Sequence, residues 1–262
     1  MTSENNTQII DLSKLNSSNT SKFGGKASNL GELINSGINV PEGFAISTDL
    51  YFDFLNKSNL KEKISNLIQH SNSLKINELQ KLSNQIKELF NKTPFDSDII
   101  SSIEQEYKRI GSSRVAVRSS ATSEDSMEAS FAGQQNTYLN IIGFNSLIES
   151  IKACWASVFE ARAIFYRNSQ NIAHFDSGMS VVIQQMVQPD VSGVMFTLEP
   201  TTLDPDKIVI EAAFGLGEAV VSGIVTPDYY VIEKSTQTVV RQKHMQQTFK
   251  IALNDENGNT GM

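Results

Sequence analysis

The longest regular pattern in the chain is helical and runs from Leu60 to Ile110. Apolar residues recur there at spacings of three and four, the period of an amphipathic helix. Three stripes follow one another: Ile64, Leu67 and Ile68; then Leu79, Leu82, Ile86 and Leu89; then Ile99, Ile100, Ile103 and Tyr107. Pro94 separates the second stripe from the third, because proline cannot continue a helix. The pattern predicts a block of helices with a solvated, charged face and a structural role.

Shorter apolar runs are typical of strands. Val115 to Val117 lead directly into Arg118, and a second run spans residues 137–142. Four further strand-like runs cover residues 180–187, 191–197, 208–212 and 229–233. Between the two sets, residues 146–167 read as one helix. The two arginines of that helix, Arg162 and Arg167, are expected to form ion pairs at its surface.

Composition narrows the class of protein without naming a function. Hydrophobic residues make up 39% and charged residues 19% of the 262 positions, as in ordinary globular proteins. A net charge of −7 argues against a nucleic-acid partner, which a basic surface normally binds. The single cysteine, Cys154, is expected to be a buried structural thiol. No apolar run has the length of a membrane span, so we expect no membrane partner and a cytoplasmic location.

Arg118 and the residues after it form the first chemical signal. The arginine ends an apolar strand and opens a segment of small and hydroxyl-bearing residues, residues 119–136, with five serines, one threonine and one glycine. A guanidinium binds two phosphate oxygens at once, and hydroxyls with exposed backbone N–H groups bind the others. The alternative from chemistry alone is a plain strand-loop-strand with a solvated loop.

Gly24, Gly25 and Lys26 form the second signal at the predicted start of a helix. Glycines let backbone N–H groups approach an anion, the helix dipole favours negative charge there, and the lysine adds a positive charge. This is not a Walker A loop, because Thr20 and Ala27 stand where glycine and Ser or Thr would be required. Taken alone, the motif equally fits a glycine turn before a surface helix with an exposed lysine.

Two further regions carry weaker signals. Gln184 lies near the end of an apolar strand that could border an adenine slot, where backbone groups and one amide side chain would meet the base. The alternative is a pair of buried core strands with Met186 as filler. Glu211 and Glu218 could approach a metal–nucleotide complex, or could equally be solvated or capping carboxylates.

Four stretches, in order, resemble the ATP-binding domain shared by phosphoenolpyruvate synthase (pyruvate, water dikinase), pyruvate phosphate dikinase and rifamycin phosphotransferase. They are residues 23–46, 114–142, 181–197 and 208–228. The resemblance implies an α+β, ATP-grasp-like nucleotide-binding fold of two lobes. It divides the chain into an N-terminal α/β lobe with a helical segment, residues 1–112, and an ATP-grasp portion, residues 113–262.

The resemblance also implies the roles of individual residues. Lys26 and Arg118 bind the ATP phosphates, Gly133 and Thr137 lie on the loop that covers them, and Gln184 contacts the base. Mg²⁺ accompanies ATP as the cofactor. No carrier histidine is expected within this sequence, because His70, His174 and His244 all lack the Thr-Ser-His-type context of the phosphohistidine domain.

The implied function is that of an ATP-binding phosphotransferase module. In a complete phosphoenolpyruvate synthase, ATP, pyruvate and water yield phosphoenolpyruvate, AMP and phosphate through a phosphohistidine in a further domain. We expect the ATP domain here to be incomplete at its C-terminal end, its magnesium ligands to lie beyond Met262, and the isolated chain to be inactive. A rifamycin phosphotransferase-like antibiotic kinase and a non-catalytic nucleotide-binding protein remain the alternatives.

Overall fold

The computed structural model describes residues 8–111, 113–122 and 136–253. The chain forms two compact units, Met1–Met186 and Val187–Met262. Helices and two antiparallel sheets occur together, which confirms the α+β class.

The first unit contains seven α-helices and five strands within the described residues. The helices are α1 (Thr20–Asn35), α2 (Thr48–Lys57), α3 (Leu60–Ile68), α4 (Ile76–Lys92), α5 (Ser97–Arg109), α6 (Phe144–Ala156) and α7 (Ala161–Gln170). The strands are β1 (Ile9–Asp11), β2 (Gly43–Ile46), β3 (Arg114–Ala121), β4 (Thr137–Ile142) and β5 (Met179–Gln185). The predicted helical block and the two strands are therefore confirmed, but β3 continues to Ala121, so Arg118 lies within the strand and the prediction that it ends the strand is wrong.

The five strands form one antiparallel sheet in the order β1-β2-β5-β3-β4. Successive side chains of a strand point to opposite faces, so each strand contributes to two layers. On one face, Val117 and Ile183 join the large core built with α2 to α7. On the other face, Val182 packs with Phe23 and Ala27 of α1. The sheet is thus covered by the helical block on one side and by α1 on the other.

Local signals explain where the helices of this layer begin and end. Ser47 precedes α2, and its hydroxyl accepts a hydrogen bond of 3.3 Å from the backbone N–H of Leu50, which makes it the N-cap. Pro94 lies in the four-residue connection between α4 and α5, as its effect on helices predicts.

The predicted single helix over residues 146–167 is wrong in one respect, because it is broken into two. A 3₁₀ turn, Ser157–Phe159, and an extended Glu160 separate α6 from α7. The hydroxyl of Ser157 donates a 2.6 Å hydrogen bond to the carbonyl of Cys154, and the guanidinium of Arg167 donates to the carbonyl of Val158. These bonds satisfy carbonyls that a continuous helix would have paired with its own N–H groups.

The expected surface ion pair of Arg167 is also wrong. Arg167 is 4% exposed, and its Nε donates a 3.2 Å hydrogen bond to Nδ1 of His174. Its guanidinium also lies over the ring of Phe159. Burial lowers the pKa of Arg167 to about 10. Arg162, in contrast, is exposed on α7.

The second unit is a four-stranded antiparallel meander. Its strands are β6 (Val191–Phe196), β7 (Lys207–Phe214), β8 (Asp228–Glu233) and β9 (Thr238–Lys243), and a short helix α8 (Glu218–Val221) follows β7. A small core forms from Ala213, Ala219 and Val225, with Phe249 and Ile251 against it. The first three strands confirm the predicted runs, whereas β9 was not predicted.

The two units divide after Met186, whereas the sequence places its boundary after residue 112. The reason lies in the first sheet. β3 follows residue 112 in the chain and pairs with β5, which in turn pairs with β2. Residues on both sides of position 112 therefore share one sheet. Among the described residues, no helix is both long and apolar enough to cross a membrane.

Candidate functional site

The glycines before Lys26 bring α1 against the end of β3. Gly24 has φ 74° and ψ 166°, which interrupts α1 and starts a second helical stretch at Gly25. A side chain at Gly24 would place its Cβ 2.4 Å from Oγ and 2.6 Å from the carbonyl oxygen of Ser120. Only glycine fits so close to another backbone with this φ. The predicted helix start at Gly24-Gly25-Lys26 therefore lies at a kink within a longer helix.

Hydrogen bonds join the two segments at this kink. The hydroxyl of Ser120 donates 2.9 Å to the carbonyl of Phe23, and it accepts 3.3 Å from the N–H of Ala27. The ammonium of Lys26 donates 2.7 Å to the carbonyl of Ser119. Ser119 and Ser120 are fully buried. The glycine-lysine segment and the segment that begins at Arg118 are thus adjacent in the fold.

Arg118 lies on the α1 face of the sheet. It is paired with Val182 of β5, which packs in the α1 core, and with Thr137 of β4. Directly opposed residues of neighbouring strands point to the same face, so Arg118 and Thr137 share the face covered by α1. Arg118 is half-buried and Thr137 is exposed.

Gln184 follows on the same face, two residues beyond Val182 along β5, which is about 7 Å at the usual rise of a strand. Its side chain is 7% exposed, and its amide donates a 3.1 Å hydrogen bond to the carbonyl of Pro41. In this structure the amide therefore holds the turn before β2.

Four of the five residues that the sequence assigns to ATP therefore lie on one face of one sheet: Lys26, Arg118, Thr137 and Gln184. Gly133 lies outside the described residues. The arrangement offers two cations near the end of β3 and an amide further along the same face. Two positively charged side chains close together are suited to bind an anionic ligand that carries phosphate groups.

Sequence reasoning missed the residues that organise this end of the sheet. Asn136 accepts hydrogen bonds through its carbonyl from the N–H of Ser119, at 3.1 Å, and from the Ser119 hydroxyl, at 3.2 Å. Its amide nitrogen donates 3.0 Å to Oε1 of Glu160. The bond of Lys26 to a backbone carbonyl has no side-chain signature, so only the structure could reveal it.

Cys154 lies beneath this region in the large core, fully buried, which confirms the expected structural thiol. Burial raises the pKa of the Cys154 thiol to about 12, against a smaller opposing effect of the nearby Lys26 ammonium. A thiol with such a pKa is protonated at neutral pH and is a poor nucleophile.

The acidic residues of the described chain do not gather into a metal site. No group of three or more His, Cys, Asp or Glu side chains within residues 8–111, 113–122 and 136–253 is placed to hold a metal ion. Glu211 lies in β7 opposite Tyr229, and Glu218 is the first residue of α8. Neither glutamate therefore belongs to such a group.

Comparison with known proteins shows the family of the chain. Residues 20–261 match the family model described as "Pyruvate phosphate dikinase, AMP/ATP-binding domain". A "Probable phosphoenolpyruvate synthase" of Staphylothermus marinus is 44% identical over 261 residues, covering 95% of this chain and 31% of the relative. Proteins of the same name from Methanothermobacter thermautotrophicus and Methanocaldococcus jannaschii are 46% and 39% identical, over 81% and 96% of this chain. The chain covers 32% and 22% of these two relatives, so it spans about a third of their length or less.

Proposed function

Because the chain belongs to the pyruvate phosphate dikinase AMP/ATP-binding domain family, we propose that it binds ATP through the α1 face of its first sheet. The observation that carries the proposal is the convergence of Lys26, Arg118, Thr137 and Gln184 on that face. In the proposed complex, Lys26 and Arg118 neutralise the phosphates. Thr137, opposite Arg118, contributes a hydroxyl at the same end of the sheet.

The base lies further along the sheet in this proposal. Gln184 is two residues beyond Val182, toward the end of β5, and its amide carries an oxygen as well as the nitrogen that bonds to Pro41. That oxygen is suited to accept a hydrogen bond from an exocyclic amine of adenine. Gly133 would lie with Thr137 on the loop that covers the phosphates. The fold that holds these parts is, in this proposal, an ATP-grasp-like arrangement.

Magnesium would enter with the nucleotide. Mg²⁺ in nucleotide sites is held by phosphate oxygens and one or two carboxylates rather than by a protein cage. Lys26 and Arg118 would neutralise the part of the phosphate charge that the metal does not neutralise.

At the level of the whole protein, we propose the ATP-binding module of a phosphoenolpyruvate synthase-like phosphotransferase. The complete enzyme would convert ATP, pyruvate and water to phosphoenolpyruvate, AMP and phosphate, with a phosphohistidine carried on another domain. His174 accepts a hydrogen bond from Arg167 at Nδ1 and bonds to Asn168 at Nε2, so both of its ring nitrogens have partners, whereas His70 and His244 are exposed.

Titration calorimetry with ATP and Mg²⁺ tests the nucleotide site. Lys26→Ala should weaken ATP binding about tenfold or more, since a charge-assisted hydrogen bond to phosphate is worth roughly 1.5–3 kcal/mol. Lys22→Ala is the matched control, because Lys22 lies in the same helix but is exposed and paired with Asp49 at 3.5 Å. We expect the control to bind like the parent. Equal affinities of all three proteins would remove Lys26 from the site.

A further inference from the structure

Ser119 is held from two directions at the proposed phosphate end of the sheet. Its carbonyl accepts the hydrogen bond of Lys26, at 2.7 Å. Its backbone N–H and its hydroxyl both donate to the carbonyl of Asn136, at 3.1 and 3.2 Å. The Lys26 ammonium is therefore bonded to a residue that Asn136 also holds.

Asn136 is itself held by its side chain. The amide nitrogen has two hydrogens, and it donates to Oε1 of Glu160 at 3.0 Å and to the hydroxyl of Tyr138 at 3.4 Å. Asn136 is half-buried, and it immediately precedes Thr137, the partner of Arg118 across the sheet. These two hydrogen bonds therefore hold the residue that immediately precedes β4.

Glu160 belongs to the helical layer on the other face of the sheet. It has an extended backbone between the 3₁₀ turn and α7, with φ −65° and ψ 149°. The oxygen that accepts from Asn136 is also 3.4 Å from the ammonium of Lys87 in α4. Glu160, which immediately precedes α7, thus connects that helix to the end of the sheet near Lys26 and Arg118.

We propose that Asn136, oriented by Glu160, is a positioning residue for ATP binding: it fixes Ser119, and with it Lys26, and it sets Thr137 opposite Arg118. The inference rests on the proposed ATP site. Asn136 needs no contact with the nucleotide in this proposal. Preorganised groups bind more tightly because less freedom is lost on binding.

The experiment measures ATP affinity by calorimetry at a temperature where circular dichroism shows every variant fully folded. Asn136→Ala and Glu160→Ala should each weaken ATP binding about three- to tenfold, the range of one side-chain hydrogen bond. Glu160→Gln should bind close to the parent, because its amide oxygen still accepts from Asn136. Lys87→Ala is the matched control: it removes the other partner of the same Glu160 oxygen and should leave affinity unchanged.

The outcomes separate this inference from the proposed function. If Lys26→Ala and Arg118→Ala weaken binding while Asn136→Ala and Glu160→Ala do not, the ATP site stands and the positioning role is overturned. If Glu160→Gln is as weak as Glu160→Ala, or if Lys87→Ala is equally weak, the ion pair rather than the hydrogen bond to Asn136 matters, which also overturns it. If Asn136→Ala does not fold, the comparison of the two Glu160 variants decides. Parental affinity in Lys26→Ala and Arg118→Ala would instead contradict the proposed site itself.

Discussion

The ammonium of Lys26 donates a 2.7 Å hydrogen bond to the backbone carbonyl of Ser119, which lies 93 residues further along the chain. This bond joins a glycine-rich helix segment to the strand that carries Arg118. Two positive side chains from distant parts of the sequence are thereby brought to one end of one sheet. A lysine whose ammonium is already partly ordered loses less conformational freedom when it binds a phosphate.

The close packing of Gly24 on β3 predicts a large effect of a single methyl group. Gly24→Ala should lower the free energy of unfolding by about 3 kcal/mol, because both an unfavourable φ and a clash with the Ser120 backbone contribute. Chemical denaturation followed by circular dichroism measures this change. We expect ATP affinity to fall as well, since the same shift displaces Lys26.

Gly37→Ala is the matched control for this prediction. Gly37 ends the same helical region with φ 80°, but a Cβ there would meet no atom within 4 Å. It should therefore cost only the backbone term, about 1–2 kcal/mol. Equal destabilisation by the two variants would show that contact with β3 is not what requires glycine at position 24.

Periodicity in the sequence predicted most of the first unit. The stripes between Leu60 and Ile110 became α3 to α5, and the runs before Arg118 and after Asn136 became β3 and β4. Each of these elements buries one apolar face, and the spacing of its own apolar residues is therefore enough to predict it.

Elements that depend on distant partners could not be predicted in this way. Arg167 stabilises the break between α6 and α7, because its guanidinium donates a hydrogen bond to the carbonyl of Val158. Strand β9 is exposed at every residue and exists by pairing with β8, so it has no apolar face to reveal it. In the site, residue types indicated Lys26 and Arg118 as cations, but the carbonyl of Ser119 that orders Lys26 carries no signal in the sequence.

The contact between the buried Arg167 and the half-buried His174 predicts a loss of stability in mild acid. Burial, and then the positive charge of Arg167, lower the pKa of His174 to about 4 from an ordinary value of 6.5. Below pH 6.5 the unfolded chain takes up a proton that the folded chain resists. The stabilisation is therefore complete above pH 6.5 and is lost as the pH falls toward 4.

His174→Gln should flatten this pH dependence. Over the window from pH 6.5 to 4, the parent should lose on the order of 1–2 kcal/mol more stability than the variant, after allowing for partial solvent screening. Thermal unfolding at a series of pH values measures the difference. His70→Gln, at an exposed position, should keep the slope of the parent. A parental slope in His174→Gln would mean that other groups determine the acid sensitivity.

The choice between Arg118 and Arg162 gives the clearest test of where phosphate binds. Arg118 lies half-buried on the α1 face opposite Thr137, whereas Arg162 is exposed on α7. A bidentate phosphate contact in a partly dry site should contribute more than ~1.5 kcal/mol, and an exposed helix arginine roughly 0–1 kcal/mol. Arg118→Ala should therefore weaken ATP binding about tenfold or more.

Arg162→Ala should leave ATP affinity nearly unchanged, and it controls for the general loss of one positive charge from a chain of net charge −7. Titration calorimetry on both variants, each checked for intact folding by circular dichroism, measures the difference. Because the two arginines carry the same charge but differ in position, a selective effect of Arg118 reflects a local contact rather than a long-range field. If Arg118→Ala binds ATP like the parent, the phosphate site is elsewhere, and the serine-containing segment after β3 requires another explanation.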